Sequence, residues 1–266
     1  DNLQFVGVYT EDDSTNDRTK VNIVREMTKT QFDALSSAEK EGFILDIGEF
    51  VFESVCRFIR DGNICDKGVE YIEVNLSPVQ CMQYRLADRY IRIMKDYDVK
   101  PQNIVLEITE TAAIGSPVNL TRNVDTFISN GVKFALDDYG TGYSNVTNLL
   151  RYMPNYVKID RMLLSEIQDS PQKQHFVREI IEFAHDNNIQ ALAEGVETTE
   201  ELQTVIRLGV DLIQGYYTAK PAQEVIMAIS DEIKDEIVRY QQQKISNKDS
   251  LVYVAGKESR VSLAKL

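Results

Sequence analysis

The sequence predicts an α/β fold of the (β/α)8 barrel kind, on three observations. Short β-branched and aromatic runs alternate with longer amphipathic stretches almost from end to end, the pattern of repeated βα units around a parallel sheet. Eight such runs can be counted. Six consecutive ones end in polar residues, and the carboxyl ends of the strands are where a barrel gathers side chains from distant parts of the chain.

The candidate strands lie at about 3–10 (LQFVGVYT), 21–27 (VNIVREM), 71–77 (YIEVNLS), 104–110 (IVLEITE), 133–139 (KFALDDY), 156–161 (YVKIDR), 190–196 (QALAEGV) and 212–217 (LIQGYY). After the second of these, Phe43, Ile44, Ile47, Val51, Val55, Phe58 and Ile59 recur at helical spacing. Ser36 and Glu39 form a capping box before them and Gly62 a stop after them. Phe176, Ile180, Ile181 and Ala184 mark another helical stripe, and 222–243 reads as a long final helix. The barrel therefore occupies 1–244. The extension at 245–266 fits no barrel unit, and its LVYVAG and RVSLA runs suit a small hairpin or a loose tail.

Composition narrows the function. The 266 residues hold 43% hydrophobic and 27% charged side chains, ordinary values for a globular chain with a sizeable core. A net charge of −13 argues against holding a polymeric nucleic acid, which needs clustered Lys and Arg. Phosphates handled by so acidic a chain call for divalent metals held by carboxylates. The three cysteines, Cys56, Cys65 and Cys81, have neither metal-ligand nor CxxC spacing, which fits a reducing, cytoplasmic compartment. No apolar run approaches a membrane span, although a parent protein could still be membrane-associated.

The polar strand ends are Asn75, Glu107 with Glu110, Asp137 with Asp138, Lys158, Glu194 with Glu197, and Gln214. One such residue is ordinarily a solvated rim or a helix cap. Six strands offering mostly carboxylates would otherwise bury several charges without partners, and a metal removes that cost. Oxygen donors without nearby His or Cys suit Mg2+ or Mn2+, and the Asp137–Asp138 pair suits a bridged two-metal centre for phosphoryl chemistry. His175 and His185 lack a second histidine at ligand spacing and are expected on the surface. Cys56 is expected in the core, and Tyr216 lies near the candidate metal face.

VNLS at 74–77, LEITE at 106–110, DDYGTGYSN at 137–145, VKIDR at 157–161, AEGVET at 193–198 and QGY at 214–216 resemble, in order and spacing, the successive signatures of the EAL family of bacterial cyclic di-GMP phosphodiesterases. The resemblance implies a modified TIM barrel whose metals are bound by Asn75, Glu107, Asp137 and Asp138, with Glu194 on the metal or its water. It implies that Lys158 orients or deprotonates the attacking water, that Gln214 completes the polar floor, and that the product is linear pGpG. DDYGTGYSN resembles the family's loop after the fifth strand, with Gly140 and Gly142 permitting its conformation and Glu110 anchoring it. Tyr143 and Arg161 would then contact substrate. A homodimer, and attachment to a sensor or GGDEF domain in the parent protein, are implied as well.

The family's Glu-Ala-Leu-x-Arg sequence on the second strand does not occur here, and residues 1–35 are divergent. Glu26 is the positional candidate for that glutamate, with Met27, Thr28 and Thr30 standing where Ala, Leu and Arg would be. Asp33, in DAL, falls in the stretch entering the next helix. Three functions follow: a nucleotide-binding domain with impaired or lost hydrolysis, an active metal-dependent phosphodiesterase that uses Glu26, and a protein-interaction module that binds no nucleotide.

Overall fold

In the computed structural model the amphipathic stretch after the second strand forms helix α1 (Ser37–Gly62) and ends at the expected glycine. The structure describes residues 5–9, 22–27, 37–67, 69–109, 118–140, 152–220 and 229–255, so the capping box at Ser36 lies outside the described residues. The inward face of α1 is Phe52, Cys56 and Ile59, whereas Val51 and Phe58 are exposed. Ile59 and Cys56 are buried as expected, but Phe52 takes the inward place expected of Val51, one position or about 100° of helix away. The reason is aromatic: Phe52 stacks on Tyr90 with ring centroids 4.0 Å apart, burying more apolar surface than Val51 could.

All eight expected strands form, but not as one series. Strands β3 (Ile72–Asn75), β4 (Ile104–Thr109), β5 (Lys133–Tyr139), β6 (Tyr156–Ile159), β7 (Gln190–Glu194) and β8 (Leu212–Gln214) make one sheet in chain order. The β3–β4, β6–β7 and β7–β8 pairs are parallel, as winding through intervening helices requires. By contrast, β1 (Phe5–Tyr9) and β2 (Asn22–Met27) pair antiparallel in a sheet of their own. The sequence between them, TEDDSTNDRTKV, has no apolar period from which to build a crossover helix, and only antiparallel strands can do without one.

Packing divides the chain within β5 into two compact units, Asp1–Ala135 with Leu150–Tyr152, and Leu136–Leu149 with Met153–Leu266. In the first, α2 (Pro78–Cys81), α3 (Leu86–Asp96) and α4 (Val118–Ser129) accompany β3 and β4. An aromatic column runs from Phe52 through Tyr90 and Phe127 to Phe134, the last two contacts edge-on at 6.1 and 5.8 Å. Gly48 lets α1 approach α2, because a methyl group there would overlap the Gln80 amide. That amide in turn donates to the Tyr90 hydroxyl at 3.0 Å. Cys56 and Cys81 are buried, and burial pushes both thiols up to about 12. A thiol reagent at pH 8 is therefore expected to label Cys65 alone in the native protein and all three cysteines in denaturant.

The second unit holds α5 (Arg161–Leu164), α6 (Pro171–Asp186), α7 (Thr199–Leu208) and α8 (Asp231–Ala255) around β6, β7 and β8. Val157, Ile159, Ala191 and Ala193 are wholly buried, the expected condition of parallel strands covered on both faces. Helix α8 starts and ends later than the expected 222–243. The Ser230 hydroxyl accepts from the Ile233 amide at its start, and Asp231 and Glu232 favour its positive end. It runs through 251–255, so LVYVA is helical rather than half of a hairpin, and residues 221–228 and 256–266 lie outside the described residues.

Candidate functional site

In the first unit the parallel register sets Asn75 on β3 opposite Glu107 on β4, at the carboxyl ends of both strands. The Leu76 amide donates to the Glu107 carbonyl at 2.8 Å, extending the pairing by one residue. Glu107 is nearly buried, between the equally buried Leu106 and Ile108, while Asn75 is exposed. An amide and a carboxylate therefore stand side by side on adjacent strands, at a spacing of about 4.8 Å.

In the second unit Lys158 is the centre. Its side chain is 3% exposed, and its Nζ lies 3.5 Å from Asp137 Oδ1 and 3.5 Å from Glu194 Oε1. Both distances are within ion-pair range and longer than a hydrogen bond. Accordingly Asp137 Oδ1, although buried, has no hydrogen-bond partner. One ammonium thus lies between two carboxylates, Asp137 and Glu194. The neighbouring Asp138 is exposed and held at φ +56°, a left-handed conformation that is strained for a side chain outside turns. Gln214 is the register partner of Glu194 and completes the row at the ends of β6, β7 and β8.

The turns beyond these strands are tightly built. Gly140 has φ +103°, and a methyl group there would overlap Leu163. Gly215 lies against the backbone of Val196, whose carbonyl oxygen and nitrogen would be 2.1 and 2.4 Å from an added Cβ. Neither atom can swing aside, so Gly215→Ala is expected to destabilise by about 1–3 kcal/mol, measured by urea denaturation, and to displace Gln214. Glu201 is a part of the construction that the motif reading passed over, although the Thr198-x-x-Glu201 capping box that announces it is legible. Its nearly buried carboxylate accepts from the amides of Glu166, Glu197 and Thr198 at 3.1, 2.8 and 3.2 Å. The end of β7 is thereby fixed to the start of α7.

Among the described residues no group of three or more His, Cys, Asp or Glu side chains converges at metal-binding distance. The donors present are nevertheless oxygen atoms of the kind that hard divalent ions take, and the unsatisfied Asp137 Oδ1 fits a cation. A match to the EAL domain family model extends over residues 24–221 and includes every one of these strand ends. The chain belongs to the EAL domain family.

Two curated relatives carry the family activity in their names. The EAL domain described here is 31% identical over 209 residues to the bifunctional diguanylate cyclase/cyclic di-GMP phosphodiesterase MucR of Pseudomonas aeruginosa, covering 77% of this chain and 30% of that protein. It is 30% identical over 190 residues to the cyclic di-GMP phosphodiesterase PdeR of Escherichia coli, covering 71% and 28%. The chain thus spans less than a third of the length of either relative. The solved MucR phosphodiesterase in complex with cyclic di-GMP aligns with a TM-score of 0.64 at 30% identity, over 78% of this chain and 81% of that one. BlrP1 of Klebsiella pneumoniae, solved with manganese and cyclic di-GMP, aligns with a TM-score of 0.63 at 26% identity, over 73% and 48%. These likenesses identify the fold as the modified (β/α)8 barrel and the chain as an EAL-type domain of cyclic di-GMP signalling.

The remaining sequence expectations fall unevenly on this EAL domain. Glu110, Gly142 and Tyr143 lie outside the described residues, and of Glu26 only the backbone, in β2, is described. Arg161, expected to contact substrate, makes a two-pronged ion pair with Glu197, one arm being Nη2 to Oε2 at 2.6 Å. His175 is exposed beside Glu179, and His185 pairs with Asp211 at 2.9 Å, the surface positions expected of both. Tyr216 is 57% exposed, next to Gln214 and Gly215. No described helix is long and apolar enough to cross a membrane.

Proposed function

We propose that this EAL domain binds cyclic di-GMP through divalent ions, Mg2+ or Mn2+, and that its hydrolysis to pGpG is impaired or lost. One observation carries the binding half: the buried Asp137 Oδ1 without a hydrogen bond, beside a single lysine that faces two carboxylates. A divalent ion with bound phosphate would give that oxygen a positive partner. Asn75, Glu107, Asp137 and Asp138 would hold the ions, with Glu194 on an ion or its water. The bound ions would neutralise charge on the phosphate. Lys158 would orient the attacking water, or take its proton if it first gives up its own, and Gln214 would complete the polar floor beside Glu194.

Impairment is supported by the second strand. It carries no Glu-Ala-Leu-x-Arg sequence, Thr30 stands where the phosphate-binding arginine would be, and β2 is hydrogen-bonded to β1 in a separate sheet. A fully active phosphodiesterase that uses Glu26 is the second reading, favoured by a family match that begins at residue 24, within β2. Incubation with cyclic di-GMP and either metal, followed by separation of products, decides between them. Impaired turnover leaves cyclic di-GMP largely intact, whereas rapid accumulation of pGpG would establish the active enzyme.

Homodimerisation and attachment to a sensor or GGDEF domain in a larger cytoplasmic or membrane-associated protein complete the proposal. The attachment is supported by the bifunctional name of one relative and the small share of its relatives that this chain covers, and the homodimer by the family resemblance alone.

A further inference from the structure

Helix α8 begins well after the last strand, yet it carries the acceptor of an unusual cluster. Glu236 Oε1 accepts from the Thr199 hydroxyl and from the Tyr240 hydroxyl at 2.8 Å, and its Oε2 accepts from the Tyr217 hydroxyl at 2.5 Å. The Thr199 and Tyr240 hydroxyl oxygens lie 3.0 Å apart around that shared acceptor. Glu236 is 16% exposed, and among the described residues it pairs with the largely exposed Arg239 at 3.6 Å. Hydrogen bonds from Thr199 and then Tyr217 hold its carboxyl below the usual range, so it stays ionised as an acceptor for all three hydroxyls.

What makes the cluster more than a helix anchor is where Tyr217 leads. Its amide donates to the Val196 carbonyl at 3.0 Å, and the Gly195 and Val196 amides donate to the Gln214 carbonyl at 2.7 and 3.2 Å. Between these bonds Gly215 touches the Val196 backbone with no room for a side chain. The ends of β7 and β8 are therefore bonded directly to each other. Tyr217 is the side chain by which Glu236 holds them, three residues from Gln214 in the chain.

We propose that Glu236 is a positioning residue for the candidate site: through Tyr217 it fixes the carboxyl ends of β7 and β8, so the docking of α8 governs nucleotide binding beside Glu194 and Gln214. The last clause rests on the cyclic di-GMP reading, and the first does not. The C-terminal helix thereby becomes a route by which whatever acts on it reaches the site.

Hydrogen exchange on the full chain, without metal or nucleotide, tests the first clause. In Glu236→Gln, which cannot accept from all three hydroxyl groups as before, the Gly195, Val196 and Tyr217 amides should exchange about tenfold faster or more, with Arg239→Gln unchanged. Tyr217→Phe removes one hydroxyl and keeps the ring, so it should reproduce the effect if Glu236→Gln folds poorly. Calorimetry with cyclic di-GMP and Mn2+ tests the second clause. Each single variant should weaken binding about tenfold, and the double variant no further, because both act along one path. Faster exchange confined to α7 and α8, or additive losses in the double variant, would overturn the proposal. If the unaltered protein binds no nucleotide, the exchange result still decides the positioning role and the failure falls on the nucleotide reading.

Discussion

Replacing Lys158 by methionine is expected to destabilise the metal-free protein by roughly 2–3 kcal/mol, and added Mn2+ is expected to recover much of the loss. Removing one partner of a buried ion pair usually costs about 3–5 kcal/mol, since the other charge is left uncompensated. Here two carboxylates lose their shared cation, but Asp137 is 15% and Glu194 29% exposed, so solvent reduces the penalty. At about 2–4 °C per kcal/mol for a chain of this size, melting should fall by roughly 5–10 °C. A divalent ion stabilises whichever form binds it, and the variant offers it two carboxylates that no longer share the Lys158 ammonium. Thermal melts with and without Mn2+ check this, and equal melting of variant and parent without metal would contradict the charge assignment.

Asp137→Asn should act in the opposite direction on stability and more severely on function. The carboxylate has a buried oxygen with no hydrogen bond, so neutralising it relieves desolvation while Lys158 keeps Glu194 as its partner. The metal-free variant is therefore expected to be as stable as the parent, or more so. Its affinity for Mn2+ should fall on the order of a hundredfold, because even partners behind the direct ligands are worth about 10–100-fold. A residue whose removal helps the fold and harms the ligand is held for function. Urea denaturation together with metal titration measures both signs on one sample.

Much of this arrangement was legible in the sequence, and the exceptions share one cause. Lys158, Glu194 and Gln214 stood out because each closes a short branched run, and that pattern is local. Where a residue's partner is distant in sequence, the reading went astray or stayed silent. Phe52 rather than Val51 faces inward because Tyr90 waits 38 residues on, and β2 leaves the parallel series because β1 captures it. The ion pair of Arg161 with Glu197, 36 residues on, is likewise not announced by the sequence. The Glu236 cluster has no signature in the sequence, since its hydroxyl donors come from α7, the turn after β8, and α8 itself. Helix α8 could have been placed better from Ser230 and the acidic pair behind it, a start signal that the apolar periodicity obscured.

The most direct measurement is a calorimetric titration of the chain with cyclic di-GMP in Mn2+, in excess chelator, and with Asp137→Asn. Saturable binding is expected in Mn2+, with a large loss in chelator and in the variant. Binding of equal strength in all three, or none in any of them, would contradict a metal-dependent nucleotide site at Asp137, Lys158 and Glu194.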